Sequence, residues 1–162
     1  MAIRTRILGI DPGSRVTGYG IIDSHRGRLG FVTCGTIRTG DSRPMADRLL
    51  TIYEGLRRVI ELHGPEVAAV EDVFLSHNPR SALKLGHARG VAVLAAMRGG
   101  LAVHDYSPRV VKQAVVGYGQ AGKEQVQHMV RVLLELSAAP SGDAADALAV
   151  AICHANRMTA LG

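Results

Sequence analysis

Four carboxylates stand where apolar stretches begin or end: Asp11 closes ILGID, Glu71 closes VAAVE, and Asp143 and Asp146 open DAADALAVAICHA. An ionised group at the tip of a buried run costs several kcal/mol unless something cationic meets it. Taken singly, each has an ordinary reading. Asp11 is a turn former before Pro12-Gly13 and Glu71 a solvated strand end. Asp143 and Asp146, three apart on one face of a helix's first turn, would cap that helix or complement its dipole, with Asp143 a candidate N-cap. Together, four acids at element ends repel one another unless divalent cations sit between them. Oxygen donors without a His or Cys cluster point to Mg2+ or Mn2+ rather than zinc. Two such ions per site would activate a water and stabilise the leaving oxygen in an in-line attack on a phosphodiester.

The surrounding elements must bring these acids together. Apolar and β-branched runs predict strands at about Arg6 to Asp11, Val16 to Asp23 and Arg28 to Arg38, joined by DPGS and SHRG as an antiparallel meander. Asp41, Ser42 and Pro44 supply a helix start, and Leu49, Ile52, Leu56, Val59 and Ile60 recur at helical spacing until Gly64-Pro65. Val67 to Asp72 reads as a fourth strand buried on both faces, as in a parallel sheet. Asn78-Pro79 opens a helix to about Met97, LAVHDY gives a fifth strand, and Ser107-Pro108 starts a helix reaching Val116. After the GYGQAG loop come helices from Lys123 to Leu136 and from Asp143 to about Met158. The fold class is α/β: a five-stranded mixed sheet, three antiparallel strands then two parallel, flanked by helices on both faces. The carboxyl ends of adjacent strands in such a sheet share a crevice, where Asp11 and Glu71 would meet.

The chain has 162 residues, 47% hydrophobic and 20% charged, which suits one domain spanning 1–162 with a full core. The apolar run near the start is short and breaks at Asp11-Pro12, so it resembles neither a signal peptide nor a membrane span. A cytoplasmic location is expected, and no membrane partner. Cys34 and Cys153 lie far apart without metal-ligand spacing and read as small hydrophobes. Net charge is +5, and from Val73 to Lys123 the only acid is Asp105, against Arg80, Lys84, Arg89, Arg98, Arg109, Lys112 and Lys123. A basic segment of that length suits a polyanion such as nucleic acid, or else a solvated surface balanced by acids elsewhere. Phe74, in the loop FLSHNPR just past the fourth strand, would stack on bases or fold back into the core. Tyr118 in its glycine-rich loop is the better DNA candidate of the tyrosines, with Tyr106 a packing residue. His87 and His154 lack a metal-ligand partner at short spacing and read as surface or packing residues.

Several long motifs in order, ILGIDPGSRVTGYGII, VEDVF, SALKLGHARGVAVLAA, YSPRVVKQAVVGYGQAGKEQVQHMV and DAADALAVAICH, resemble the RuvC-type crossover-junction endodeoxyribonucleases of bacteria over roughly residues 6 to 158. The resemblance implies a ribonuclease-H-like fold, a homodimer, and paired symmetric nicks in a four-way (Holliday) DNA junction with Mg2+ or Mn2+. It places the catalytic and metal-ligating acids on Asp11, Glu71, Asp143 and Asp146, lysines near the cut on Lys112 and Lys123, and the aromatic directed at junction bases on Phe74. It also implies a branch-migration helicase partner of the RuvA and RuvB type. Two departures stand out: Asp72, where the family often has Gln, and Asp105, where Glu is expected. Asp72 should face away from Glu71 if the strand persists. Ala82, Gly86 and Gly90 form a small-residue face, suited to packing on its own sheet or, by resemblance, to a two-fold helix pair. GIDPGS also resembles the phosphate loop of actin-like sugar kinases and ATPases, and a junction-binding protein without catalysis would use the acids only as caps.

Overall fold

The computed structural model describes residues 3–72 and 78–161. Along the chain come β1 (Thr5–Asp11), β2 (Val16–His25), β3 (Arg28–Arg38), α1 (Met45–His63), β4 (Val67–Glu71), α2 (Pro79–Arg98), β5 (Ala102–Tyr106), α3 (Pro108–Val116), α4 (Lys123–Leu133) and α5 (Gly142–Leu161). The strands form one sheet in the order β3-β2-β1-β4-β5. The pairs β1–β2 and β2–β3 are antiparallel, and β1–β4 and β4–β5 parallel, as the run of short hairpins followed by helical crossovers requires.

Side chains along a strand alternate between faces, so the odd and even positions of β1 and β4 divide the core in two. Leu8, Ile10, Ala68 and Val70 pack with Ile52, Leu56, Val59 and Ile60 of α1 and with Ala88, Ala92, Ala95 and Ala96 of α2. Ile7, Val67 and Ala69 pack on the other face with α3, α4 and α5. Helix α5 lies between the sheet and α3/α4, and its residues from Ala147 to Ala155 are all buried. Such a helix shows no polar stripe. No described helix is long and apolar enough to cross a membrane.

Local chemistry explains most boundaries. Asn78 caps α2, its side chain accepting from the amides of Arg80 (3.0 Å) and Ser81 (3.4 Å), with Pro79 in the first turn. Ser107 does the same for α3, accepting from the Val110 amide at 3.3 Å. Gly64 ends α1 in the left-handed conformation, with φ 59°.

Four sequence expectations change. Helix α1 starts at Met45 without a side-chain cap, and Asp41 instead meets Arg15 at 3.5 Å. Strand β4 ends at Glu71 rather than Asp72, although the Asp72 amide still donates to the Tyr106 carbonyl at 2.8 Å. Helix α4 stops at Leu133 instead of Leu136, because Glu135 takes φ 54° and the Leu136 amide turns back to the Arg131 carbonyl at 2.9 Å. That is a Schellman ending without its usual glycine. Helix α5 begins at Gly142, and the Ala145 amide donates to the Ser141 carbonyl at 2.8 Å, so Asp143 is inside the first turn and is not the N-cap.

Candidate active site

The parity that divides the core also aims the acids. Asp11 follows Ile7 and Gly9 on the α5 face of β1, and Glu71 follows Val67 and Ala69 on the α5 face of β4. The two strands are parallel neighbours, with Ile10 opposite Val70, so the carboxylates leave adjacent strand ends in the same direction. Helix α5 starts above them, and Asp143 and Asp146 complete the acidic wall of a cavity of about 300 Å³.

Glycines set the height of that helix above the sheet. A Cβ on Gly18, which pairs with Asp11, would lie 2.0 Å from the Asp143 carbonyl oxygen. One on Gly9 would lie 1.9 Å from the Ala147 carbonyl oxygen, and one on Gly20 2.6 Å from the Leu148 side chain. The backbone of α5 therefore rests on strand backbone. No other residue fits at Gly9 or Gly18 without moving the helix, and at Gly20 the Leu148 side chain would have to give way. Sequence reasoning missed this role, although Gly18 and Gly20 share a face at the strand period and Gly9 pairs with Gly20.

The turn after Asp11 is held from inside. The Thr17 hydroxyl, fully buried, donates to the Gly13 carbonyl at 2.8 Å and accepts from the Gly13 amide at 3.2 Å. Arg48 on α1 donates to the Ser14 carbonyl at 2.9 and 3.2 Å, and Thr39 donates to the same carbonyl at 2.7 Å. None of these was legible as a functional residue, since each acts by fixing a backbone segment.

The electrostatics of the cavity are strained. Burial first, then Glu71 through both charge and a hydrogen bond, then Asp146 and Asp143, push the Asp11 carboxyl well above the usual carboxylate range. Burial and Glu71 likewise raise Asp146, to about 6, while Lys123 and Lys112 oppose the rise. Both lysines line the cavity. The donor set is carboxylate oxygen alone and carries more negative charge than it can hold unprotonated, which suits a hard divalent cation. Among the described residues no group of three His, Cys, Asp or Glu side chains is already drawn together as the ligands of one ion.

The other sequence candidates lie outside this cavity. Arg109, in the first turn of α3, packs its side chain against Gly119 and is exposed, as is Tyr118 beside it. Arg80 and Lys84 are exposed on the first turns of α2. Phe74 lies outside the described residues. Asp72 turns to the α2 face, where Arg89 meets it at 3.4 Å and also bonds Asp105. The two departures from the family pattern thus converge on one guanidinium. Tyr106 is buried as expected. His154 is buried too, never a surface residue, with Nδ1 2.6 Å from the Tyr106 hydroxyl and the His104 ring 4.5 Å away.

The sequence profile described as "Crossover junction endodeoxyribonuclease RuvC" matches residues 7–154. A protein of that description from Geobacter sulfurreducens is 60% identical over 151 residues, covering 93% of this chain and 92% of its own. One from Marinobacter nauticus is 58% identical, covering 93% and 85%. Among solved structures, Thermus thermophilus RuvC in complex with a Holliday junction substrate superposes with a TM-score of 0.90 at 34% identity, covering 96% of both chains. The fold is the ribonuclease-H-like one expected from the motifs. With a profile spanning most of the chain and relatives this similar end to end, the chain belongs to the RuvC family of crossover junction endodeoxyribonucleases.

Proposed function

We propose that the chain is a structure-specific endonuclease that resolves four-way DNA junctions by symmetric phosphodiester nicks, using divalent metal, in recombination and repair. The observation that carries this reading is the convergence of Asp11, Glu71, Asp143 and Asp146 on one cavity that Lys112 and Lys123 also line. The four carboxylates, Asp11, Glu71, Asp143 and Asp146, would hold two ions, Mg2+ or Mn2+. Bound there, the metal would supply an activated water and charge stabilisation at the leaving oxygen. Lys112 and Lys123 draw a backbone phosphate to the acids and restrain the proton affinity of Asp146. Thr17, Arg48 and the glycines keep Asp11 and α5 in fixed relation, so the donors do not reorganise as charge develops.

Paired nicks need two such sites, hence a homodimer. Exposed Leu83, Leu94 and Met97 continue the small-residue face of α2, where added Cβ atoms on Gly86 and Gly90 would meet nothing within 4 Å among the described residues. That face is open to a second copy instead of packing on its own sheet. A branch-migration helicase partner and a cytoplasmic setting rest on the family resemblance.

The test is incubation with an end-labelled mobile four-way junction in Mg2+, Mn2+ or chelator, beside a linear duplex. Symmetric paired nicks confined to the junction and to the metal-containing reactions are expected. Tight binding without cleavage under either metal would leave a binding protein and sink the nuclease reading.

A further inference from the structure

The apolar face of α1 carries one charged side chain. Arg48 is 7% exposed, and its Nε and Nη2 donate to the Ser14 carbonyl, the Ser14 hydroxyl at 3.3 Å and the Thr39 hydroxyl at 3.3 Å. Every acceptor is neutral. Among the described residues no carboxylate lies within 4.0 Å of this guanidinium, and the hydrogen bonds it makes there all come from Nε and Nη2. A buried charge without a counter-ion is costly, and the fold retains this one at the wall of a cavity of about 410 Å³. Arg15 and Lys84 add two exposed positive charges there, Ser14 and Ser81 add hydroxyls, and the one acid, Asp41, is exposed and lies 3.5 Å from Arg15. The amides of Arg80 and Ser81 are already taken by Asn78, so side chains do the recognising.

We propose that this cavity between the β1–β2 turn and the start of α2 binds a backbone phosphate of the DNA, away from the cut phosphate, through Arg48, Arg15 and Lys84. The inference rests on the nuclease reading and adds a second point of attachment to it. Two features favour a strand over a free anion. Asp11 and Ser14 are three residues apart, at most about 11 Å of chain, so one polyanion can reach both cavities. Among the described residues the cavities share no lining residue, and they lie toward opposite faces of the sheet, the acidic one beneath α5 and this one beside α1 and α2. A strand held at both would be gripped on either side of the Pro12-Gly13 turn. Its register against the acids would then be set by Arg48, whose guanidinium is itself fixed by three neutral oxygens.

The test uses the intact protein in chelator, with an Arg15→Ala/Lys84→Ala double variant, both positions being exposed and neutral to folding. Junction affinity is measured between about 50 and 200 mM salt, with junctions carrying one neutral methylphosphonate at successive positions. The wild type should show one uncut position where neutralisation weakens binding about 3- to 10-fold, and the double variant should be indifferent to that position. Its log–log salt slope should be shallower by about 1. Equal penalties in both proteins at every position would overturn the site. Stabilisation of the wild type by inorganic phosphate with no position-dependent penalty would overturn the DNA assignment in favour of a free anion. Failure of the wild type to bind the junction at all would instead overturn the nuclease reading.

Discussion

The two ends of the β1–β2 hairpin treat a carboxylate in opposite ways. Near the start of β1, Arg6 pairs across the ladder with Asp23, its Nε 2.8 Å and its Nη2 3.0 Å from the two carboxylate oxygens. That guanidinium holds the Asp23 carboxyl below its usual range. At the other end Asp11 faces Glu71, Asp146 and Asp143, and its carboxyl is driven the other way. One end is electrostatically settled and the other is loaded. A fold gains stability from the first arrangement, whereas the second is worth its cost only where chemistry uses the charge. The difference separates, within one pair of strands, the groups that hold the protein together from those proposed to act on DNA.

The largest effect should come from removing the loaded group. Asp11→Asn is expected to lower junction cleavage by on the order of 10³-fold or more, read by single-turnover nicking with Mg2+. The same change should stabilise the metal-free protein. Because Asp11 keeps its proton to higher pH when folded than when unfolded, the native state binds more protons above about pH 4, and stability falls as pH rises. Asparagine removes that penalty, and a gain of about 2–4 °C in Tm at pH 8 is expected, shrinking toward pH 4. A loss of stability at pH 8 would contradict the loaded-end picture.

Next in size is Gly18→Ala, whose methyl would collide with the Asp143 carbonyl. Overpacking of this kind costs about 1–3 kcal/mol, and the shift of α5 should reduce cleavage even where the protein remains folded. Full activity in a folded Gly18→Ala protein would show that the acids tolerate a wider spacing. At the settled end, Asp23→Asn should cost about 2 kcal/mol by denaturant titration, since Arg6 would keep only the His63 carbonyl at 2.7 Å as a strong acceptor. Cleavage should be unchanged, and the difference in stability should be smaller at acid pH, where the wild-type Asp23 carboxyl is itself protonated and no longer a charged partner for Arg6.

The smallest effect concerns His154, which burial first, then His104 and Arg157, push from 6.5 to about 4. The folded ring stays neutral where the unfolded one charges, so stability falls as pH drops from about 6.5 toward 4. His154→Phe should flatten that part of the pH–Tm curve.

Much of this was legible in the chain because strands and carboxylates follow short-range rules. ILGID and VAAVE announce buried strands by their apolar runs, and period-two alternation alone separates Glu71 from Asp72. What could not be read depended on partners distant in sequence. Arg48 occupies a core-facing helical position only because the Ser14 carbonyl, 34 residues away, accepts from it. The end of α4 was overrun because Glu135, not glycine, supplies the left-handed residue. The role of Gly9, Gly18 and Gly20 was invisible because what they do is absent from their own side chains: it appears only when α5 is laid across them.

That seating of α5 on bare strand backbone makes the gap between the two halves of the acidic site a length set by peptide groups in contact. Side-chain gaps can be tuned a methylene at a time, but this one has no intermediate settings: the smallest available change, a single methyl, already collides with a carbonyl. If the acids hold a cation as proposed, adaptation of the site to one of different radius would therefore run through the reach of the acids themselves, Asp for Glu or the reverse, while the frame beneath them stays the same.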